Sequence, residues 1–332
     1  MIRLAFDARE TSHMSAGVLN YSRKLREWLP RVAPEIEVIA LGSGDNFDLA
    51  EQIGLPLAIA RSRAQLAHFP TLFVPRFVPA PYIVTVHDLI DLHFPQFVKP
   101  QVPPYVRALV APVVRGARAV ITDDEATVDD LERFLGVDAR RVRVIPLGND
   151  DPPDDPIPIG HPRPYLLYVG NRRPHKNLAT LIAAWSELAR ERAVDLVLSG
   201  SRDAAATVAS PGAGEIVFLG ERSDAELRRW YAGAAAYVHP ALREGFGLPL
   251  LEAMRNGARV IASREAMPRV LAPHAVLVEA LDVAGWRSAL AAVLDDPAGA
   301  HAAALAARAA TSELTWERTA RLTADVYRMI CP

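Results

Sequence analysis

Cysteine is almost missing from this chain: Cys331 is the single one in 332 residues. One cysteine cannot close a disulfide within the chain, and it makes a cysteine-based zinc site a poor expectation. Lysine is scarce as well, with only Lys24, Lys99 and Lys176, and arginine supplies the rest of the positive charge. Neither sign of charge is in excess. The net charge of −2 excludes a strong field that would draw the protein to nucleic acid. Long apolar runs are also lacking. No window offers roughly 18 uncharged apolar residues, the length a membrane-spanning helix needs. The opening residues, Met1 to Asp7, lack the apolar core of a signal peptide. Together these absences lead to the expectation of a cytoplasmic protein. The 27 prolines are scattered, with no repeat or low-complexity tract. The alanine-rich stretch 289–310 is broken by Asp295, Asp296, Pro297 and His301, and it reads as a pair of amphipathic surface helices.

What is present is hydrophobic residues, 50% of the chain, over a length that suits two domains better than one core. Short apolar strands are predicted at 2–6, 37–41, 67–69, 82–86, 119–122 and 143–145. Helical patterns lie between several of them, at 18–29, 104–116 and 125–135. That alternation argues for a parallel sheet. Pro and Asp then crowd residues 149–164, which have little chance of forming a helix or a central strand. After them the alternation restarts, with strands predicted at 165–169, 195–199, 216–219, 235–239, 259–263 and 275–278, and helices at 178–190, 224–233 and 249–255. The predicted organisation is a first α/β domain over 1–150, a linker over 151–164 and a second α/β domain over 165–315. A final helix follows, from Trp316 to Ile330, with Trp316, Ala320, Leu322, Tyr327 and Ile330 as its apolar stripe. Ligands of such sheets bind beyond the carboxyl ends of the strands, and the cleft between two such halves is the expected site.

The most specific motif runs from His239 to Met254. A strand ends at His239, a loop carries Glu244, Gly245, Phe246 and Gly247, and a helix starts near Leu248 and Pro249. Glycines let backbone approach a ligand, and a helix N-terminus presents N–H groups to an anion such as phosphate. Glu252 is placed in the first helical turn, and Glu244 on the loop before it. Both carboxylates can accept hydrogen bonds from sugar or ribose hydroxyls. A bare GxG would favour an ordinary turn; the full run is far more specific. A second motif, Tyr168 to Leu178, carries Arg172, Arg173 and Lys176 on the loop after a strand. Three cations there can neutralise the charge that develops on a diphosphate leaving group. A third, Val84 to Leu89, sets His87 and Asp88 at a strand's carboxyl end. A fourth is the loop from Asp7 to Gly17, with Tyr21 on the helix after it.

Across nearly the whole chain these motifs resemble the GT4-like family of retaining GT-B glycosyltransferases, among them bacterial polysaccharide mannosyltransferases. The resemblance is most specific at 165–180 and 236–263. It implies a GT-B fold, α/β, with two Rossmann-like domains facing a central cleft. The first takes the acceptor and the second the nucleotide-sugar donor, and the final helix, 316–332, packs back on the first. Glu244 and Glu252 match the family's E-x7-E spacing. Glu252 is then expected to hold the donor ribose, while Glu244 and the backbone of Gly245, Phe246, Gly247 and Leu248 hold the transferred sugar and its phosphate. Lys176 matches the family's diphosphate-binding lysine. The family's common arginine directly after the glycine is replaced by Asn171, so Arg172 or Arg173 takes that role. His87 matches an active-site histidine near the donor sugar and is not expected to act as a base, with Asp88 orienting neighbouring groups. Gly17 matches a loop glycine against the donor phosphate or the acceptor. Ser199 to Arg202 and Phe218 to Gly220 are expected to flank the nucleobase, through backbone groups.

The reaction implied is sugar transfer from a nucleoside diphosphate with retention at the anomeric carbon, the leaving phosphate assisting front-face attack. No Asp-x-Asp motif stands at a strand end, and Asp123, Asp124 and Glu125 read as a helix start, so no metal and no other cofactor is expected to be required. GDP-mannose leads among the donors, with UDP- and dTDP-sugars open. The acceptor expected is a glycan or a lipid-linked oligosaccharide. Lys99, Arg107, Arg115 and Arg118 among apolar residues leave peripheral contact with the inner membrane face open, beside the simpler reading of a helix packed on its sheet. An epimerase, a phosphorylase or a non-catalytic sugar-nucleotide subunit on the same architecture are the alternatives.

Overall fold

The structure, a computed structural model, describes residues 1–11, 14–42, 50–150, 155–201 and 212–331. The expected linker residues 151–154 and Arg202 lie outside the described residues. The chain divides into two compact units, Met1–Gly148 with Leu314–Pro332, and Asn149–Glu313.

The first unit runs β1 (Ile2–Asp7), α1 (Ala16–Val32), β2 (Ile36–Leu41), α2 (Leu55–Ser62), β3 (Leu66–Phe69) and β4 (Tyr82–Thr85). It continues through α3 (Ile90–His93), α4 (Val102–Tyr105), α5 (Ala111–Gly116), β5 (Ala119–Thr122), α6 (Glu125–Asp130) and β6 (Val142–Val144). The strands form one parallel sheet in the order β2-β1-β3-β4-β5-β6. β4 and β5 read Tyr-Ile-Val-Thr and Ala-Val-Ile-Thr, the β-branched, unalternating sequence of strands covered on both faces. The helix predicted over 104–116 is a run of α4, a wider turn at Val106–Val110 and α5. Val110, Val113 and Val114 of that run join Leu55 and Ile59 of α2 in one core against the sheet.

The second unit contains β7 (Tyr165–Tyr168), α7 (Leu178–Ala189), β8 (Asp195–Leu198), β9 (Ile216–Phe218), α8 (Asp224–Gly233) and β10 (Ala236–His239). α9 (Leu248–Arg255), β11 (Val260–Ser263), β12 (Val276–Val278), α10 (Val283–Asp295) and α11 (Pro297–Ala310) complete it. Its parallel sheet has the order β12-β11-β10-β7-β8-β9. The order reverses between β7 and β10, and in open α/β sheets such a switch point opens a crevice at the carboxyl ends. Helix starts follow local chemistry. Ser223 and Glu226 make a reciprocal capping box on α8, and Asp282 and Asp296 cap α10 and α11.

The last helix, α12 (Trp316–Ile330), belongs to the first unit. Its buried face departs from the predicted stripe. Trp316, Ala320 and Tyr327 are buried as expected, but Thr319 and Thr323 take buried positions where Leu322 and Ile330 were expected. The threonines are tolerated because each hydroxyl has an acceptor. Thr319 donates to the Pro146 carbonyl at 2.9 Å and Thr323 to the Thr319 carbonyl at 2.8 Å. The chain crosses itself closely on re-entering this unit. A Cβ on Gly148 would stand 2.1 Å from the Thr315 carbonyl carbon, so only glycine fits.

Candidate active site

Within the second unit, the β7 loop and the β10 loop flank the switch point, and each carries part of one cluster. Lys176 follows β7, and its ammonium pairs with Glu244 Oε1 from the β10 loop. His239, the last residue of β10, brings Nε2 to the same oxygen at 2.8 Å. A carboxylate only accepts, so two donors converge on Oε1, and Oε2 keeps no partner among the described residues. Burial alone would favour the neutral acid. The Lys176 charge and the His239 hydrogen bond overcome it and hold the Glu244 carboxyl down at about 2. Glu244 is therefore an ionised acceptor and a very weak base.

The backbone beyond it is arranged for an anion. Gly247 has φ 71° and stands directly before α9, with no side-chain cap on the helix. The N–H groups of Gly245, Phe246, Gly247 and Leu248 find no acceptor among the described residues. Four consecutive unsatisfied donors at a helix start make the loop electropositive, which suits an anion. The Phe246 side chain is buried, so only its backbone can serve a ligand. A Cβ at 247 would meet Leu250 at 2.9 Å in a backbone conformation that other residues resist.

Glu252 is the fifth residue of α9, so it opens the second turn rather than lying in the first, because the helix begins at Leu248. Tyr231 of α8 donates its hydroxyl to Glu252 Oε2 at 3.2 Å. Oε1 keeps no partner among the described residues. Burial pushes the Glu252 carboxyl up, the Tyr231 hydrogen bond opposes it, and the Asp224 charge adds to the rise.

The cationic loop divides. Arg172 donates to the carbonyls of Ser201 at 2.5 Å and Ser199 at 2.9 Å, and its guanidinium stacks over Phe218 at 5.1 Å. Arg173 is exposed, and its side chain has no partner among the described residues. Of the two arginines left open by the sequence, Arg173 is the uncommitted one. Gly200 and Gly220 exchange backbone hydrogen bonds with each other at 3.1 and 2.9 Å, which occupies backbone groups expected to face a nucleobase. Asn177 sits in the left-handed region at φ 53°. Its amide donates to the Pro240 carbonyl at 3.0 Å and the Ala280 carbonyl at 2.7 Å, stitching three loops at the carboxyl ends together. His175 is buried beside this cluster, a neighbour the sequence reading passed over. Burial first, then the Lys176 charge, lower it to about 4, so it is neutral at pH 7.

In the first unit, His87 follows β4. Nδ1 lies 2.6 Å from Asp123 Oδ2 and Nε2 3.2 Å from the Pro70 carbonyl. The partner is Asp123, after β5, rather than the expected Asp88, which caps the next turn by accepting from the Ile90 N–H at 3.1 Å. Both ring nitrogens face acceptors, which favours the doubly protonated ring. Burial opposes that charge, but the Asp123 carboxylate outweighs it and raises the His87 value. A ring held between two acceptors is biased toward its protonated form and away from service as a base. Tyr21 is buried on α1, its ring meeting His87 edge to face at 4.7 Å. Gly17 lies inside the first turn of α1, whose cap is Ser15, rather than on the loop before it. Asp124 caps α6 as the acidic run suggested, but Asp123 is drawn off to His87. Among the described residues, no three His, Cys, Asp or Glu side chains gather as a metal site, and no helix is long and apolar enough to cross a membrane.

Two family models divide the chain between them. The glycosyltransferase family 4 model matches residues 18–151, and the glycosyl transferases group 1 model matches residues 163–296. O-antigen chain mannosyltransferase B of Escherichia coli is 26% identical over 282 residues, covering 79% of this chain and 74% of that protein. O-antigen chain mannosyltransferase RfbU of Salmonella typhimurium is 30% identical over 216 residues, 62% of this chain and 59% of that one. Among solved structures, sucrose-phosphate synthase from Thermosynechococcus elongatus superposes with a TM-score of 0.77 at 21% identity, over 100% of this chain and 99% of that one. With matching models on both sheets and a GT-B fold over the whole length, the chain belongs to the group 1, family 4 glycosyltransferases and is an enzyme of that kind.

Proposed function

We propose that this glycosyltransferase transfers a hexose with retention from a nucleoside diphosphate sugar to a glycan or lipid-linked acceptor in polysaccharide assembly. Mannose from GDP-mannose leads among the donors, on the strength of the O-antigen mannosyltransferase relatives. The observation that carries the reading is the run of four unsatisfied N–H groups at 245–248, in a unit whose Lys176 is held by Glu244 of the same loop. A departing diphosphate gathers negative charge, and preorganised N–H groups with a lysine and Arg173 stabilise it without rearrangement. In this reading no metal ion is required for that task. The open oxygen of Glu244 accepts from sugar hydroxyls and that of Glu252 from ribose hydroxyls. Glu244, held near 2, is too weak a base to deprotonate an acceptor. His87 has both nitrogens committed to acceptors and serves as a fixed positive group. Those features support front-face attack, with the leaving phosphate as the group that receives the acceptor's proton. Contact with the inner membrane face belongs to the same proposal.

The deciding experiment is thermal melting with GDP, UDP, dTDP and ADP, each with and without EDTA, alongside Glu252→Ala. A ligand at a hundred times its Kd adds about 2.7 kcal/mol to the folded state. One nucleotide should raise the melting temperature, EDTA should not remove the rise, and Glu252→Ala should. No rise with any nucleotide would sink the donor-site reading. Retention is read from the anomeric NMR coupling of the product, and an inverted product would overturn it.

A further inference from the structure

We infer that the C-terminal helix α12 is tied into the His87 site: Tyr327 and His68 are positioning residues that hold the His87 ring, through Thr85 and Tyr21 on one side and the Pro70 carbonyl on the other. The inference rests on the reading of His87 as a site residue, and its test separates the two.

The geometry is a continuous buried chain within the first unit. The Tyr327 hydroxyl, on α12, lies 2.6 Å from His68 Nδ1 on β3. His68 Nε2 lies 2.8 Å from Thr85 Oγ1 on β4. Thr85 Oγ1 lies 3.0 Å from the Tyr21 hydroxyl on α1. The Tyr21 ring then meets the His87 ring at 4.7 Å and 84°. A second route is shorter. His68 stands two residues before Pro70, whose carbonyl receives His87 Nε2 at 3.2 Å. So the chain that seats His68 on β3 also seats Pro70, the residue directly after that strand, which contacts His87.

Tyr327, His68, Thr85 and Tyr21 are buried, so water does not compete for their polar groups, while His87 at the end of the chain is part-buried. Burial, with the charge of His87 adding to it, lowers His68 to about 3, and the ring is neutral. A neutral imidazole has one N–H and one lone pair, so it must donate at one nitrogen and accept at the other. The hydroxyls of Tyr327 and Thr85 can each take either role, and the chain closes in both tautomers. Removing the Tyr327 oxygen leaves a buried ring nitrogen without a partner, which forces the ring or its neighbours to move.

Docking of α12 does not need this chain. Trp316, Ala320, Ala324 and Val326 already bury an apolar face. A buried polar chain added to a sufficient apolar contact specifies one arrangement among several that would pack. The arrangement specified here is that of the strand ends around His87.

The test uses the full chain with 15N-labelled histidine. Tyr327→Phe and Thr85→Val each remove one oxygen with little change of shape, so one can fail to fold without ending the test. His87→Gln assigns the His87 ring signals. In both variants those signals and their titration should shift, with the melting temperature lowered by no more than one unpaired buried nitrogen costs. Turnover should fall roughly tenfold to a hundredfold, as misplacement of a site group costs, with the donor KM unmoved. His87 signals that superpose on the wild type in both variants would overturn the inference. If His87→Gln keeps wild-type turnover, the reading of His87 falls instead, and the ring signals alone still decide the link.

Discussion

The two sheets each set a histidine beside a carboxylate at the carboxyl ends of their strands, yet the balance of charge differs. In the first unit one carboxylate, Asp123, faces one ring, and a carbonyl holds the ring's other nitrogen. In the second, Glu244 receives a lysine and a histidine on a single oxygen, and its other oxygen stays open. The first arrangement favours a positive group and commits both ring nitrogens to acceptors. The second fixes an acceptor that can still take a ligand, next to a row of unsatisfied N–H groups. A like residue pair thus yields different chemistry, because the surroundings decide how many donors each acceptor must share.

The contrast can be broken at several points. The largest effect is expected from Lys176→Ala, which removes the cation beside the N–H row. Turnover should fall about 100- to 1000-fold, the range for losing one charge-stabilising donor, measured as sugar transfer at saturating donor. Loss of less than fivefold would mean that Arg173 carries the leaving-group charge alone.

Within α9 and its loop, Glu244→Gln and Glu252→Gln should act with opposite sign on stability. Glu244 is depressed, so its stabilising contribution is full above the unfolded value near 4.3 and is lost as pH falls toward about 2. Neutralising it at pH 7 should cost about 3–5 kcal/mol, because Lys176 and His239 lose their charged partner. Glu252 is raised, so its ionised form costs stability above the folded value, and the fold gains as pH drops through that value. Glu252→Gln should leave stability at pH 7 unchanged or higher while weakening nucleotide binding. Urea titrations at pH 5 and 7 with nucleotide affinities decide it; parallel losses in both variants would erase the distinction.

Asp123→Asn tests the first unit. His87 is raised, so its contribution is full below the unfolded value near 6.5 and is lost as pH rises through the folded value. The variant should lose about 1.5–3 kcal/mol at pH 6, with the gap to the wild type narrowing in alkali. A gap that does not change with pH would mean that the pair is neutral. The smallest effect is expected from Tyr231→Phe. Without its hydroxyl the Glu252 carboxyl rises further, and nucleotide affinity should drop by less than about tenfold at pH 7, in line with one hydrogen bond. The loss should grow as the pH is lowered, which isothermal titration can follow.

Much of the architecture was legible because it is written in local patterns. The strand over 119–122 and the helix over 224–233 stand where the alternation of short apolar runs and helical patterns puts them. Errors have two sources, a helix cap placed a residue or two from where it was expected and partners distant in the chain. Gly17 reads as a loop glycine until the Ser15 cap starts α1 before it. Asp88 is the sequence neighbour of His87, but the acceptor is Asp123, on the loop after the adjacent strand. Leu322 was expected on the buried face of α12, yet Thr319 and Thr323 lie there because nearby carbonyls satisfy them.

By itself the sequence determined two α/β halves, a glycine loop ahead of a helix, a lysine among arginines and two carboxylates at a set spacing. Each follows from periodicity, backbone freedom or the kind of charge, which are properties of a residue and its near neighbours. Tertiary structure decided which oxygen each donor takes, which arginine is spent on carbonyls and which is left open. It also decided that Glu244 ionises readily while Glu252 resists, and that a helix after the second unit closes a chain to His68. Charge state and hydrogen-bond count depend on burial and on the distance between groups, and strand order sets both.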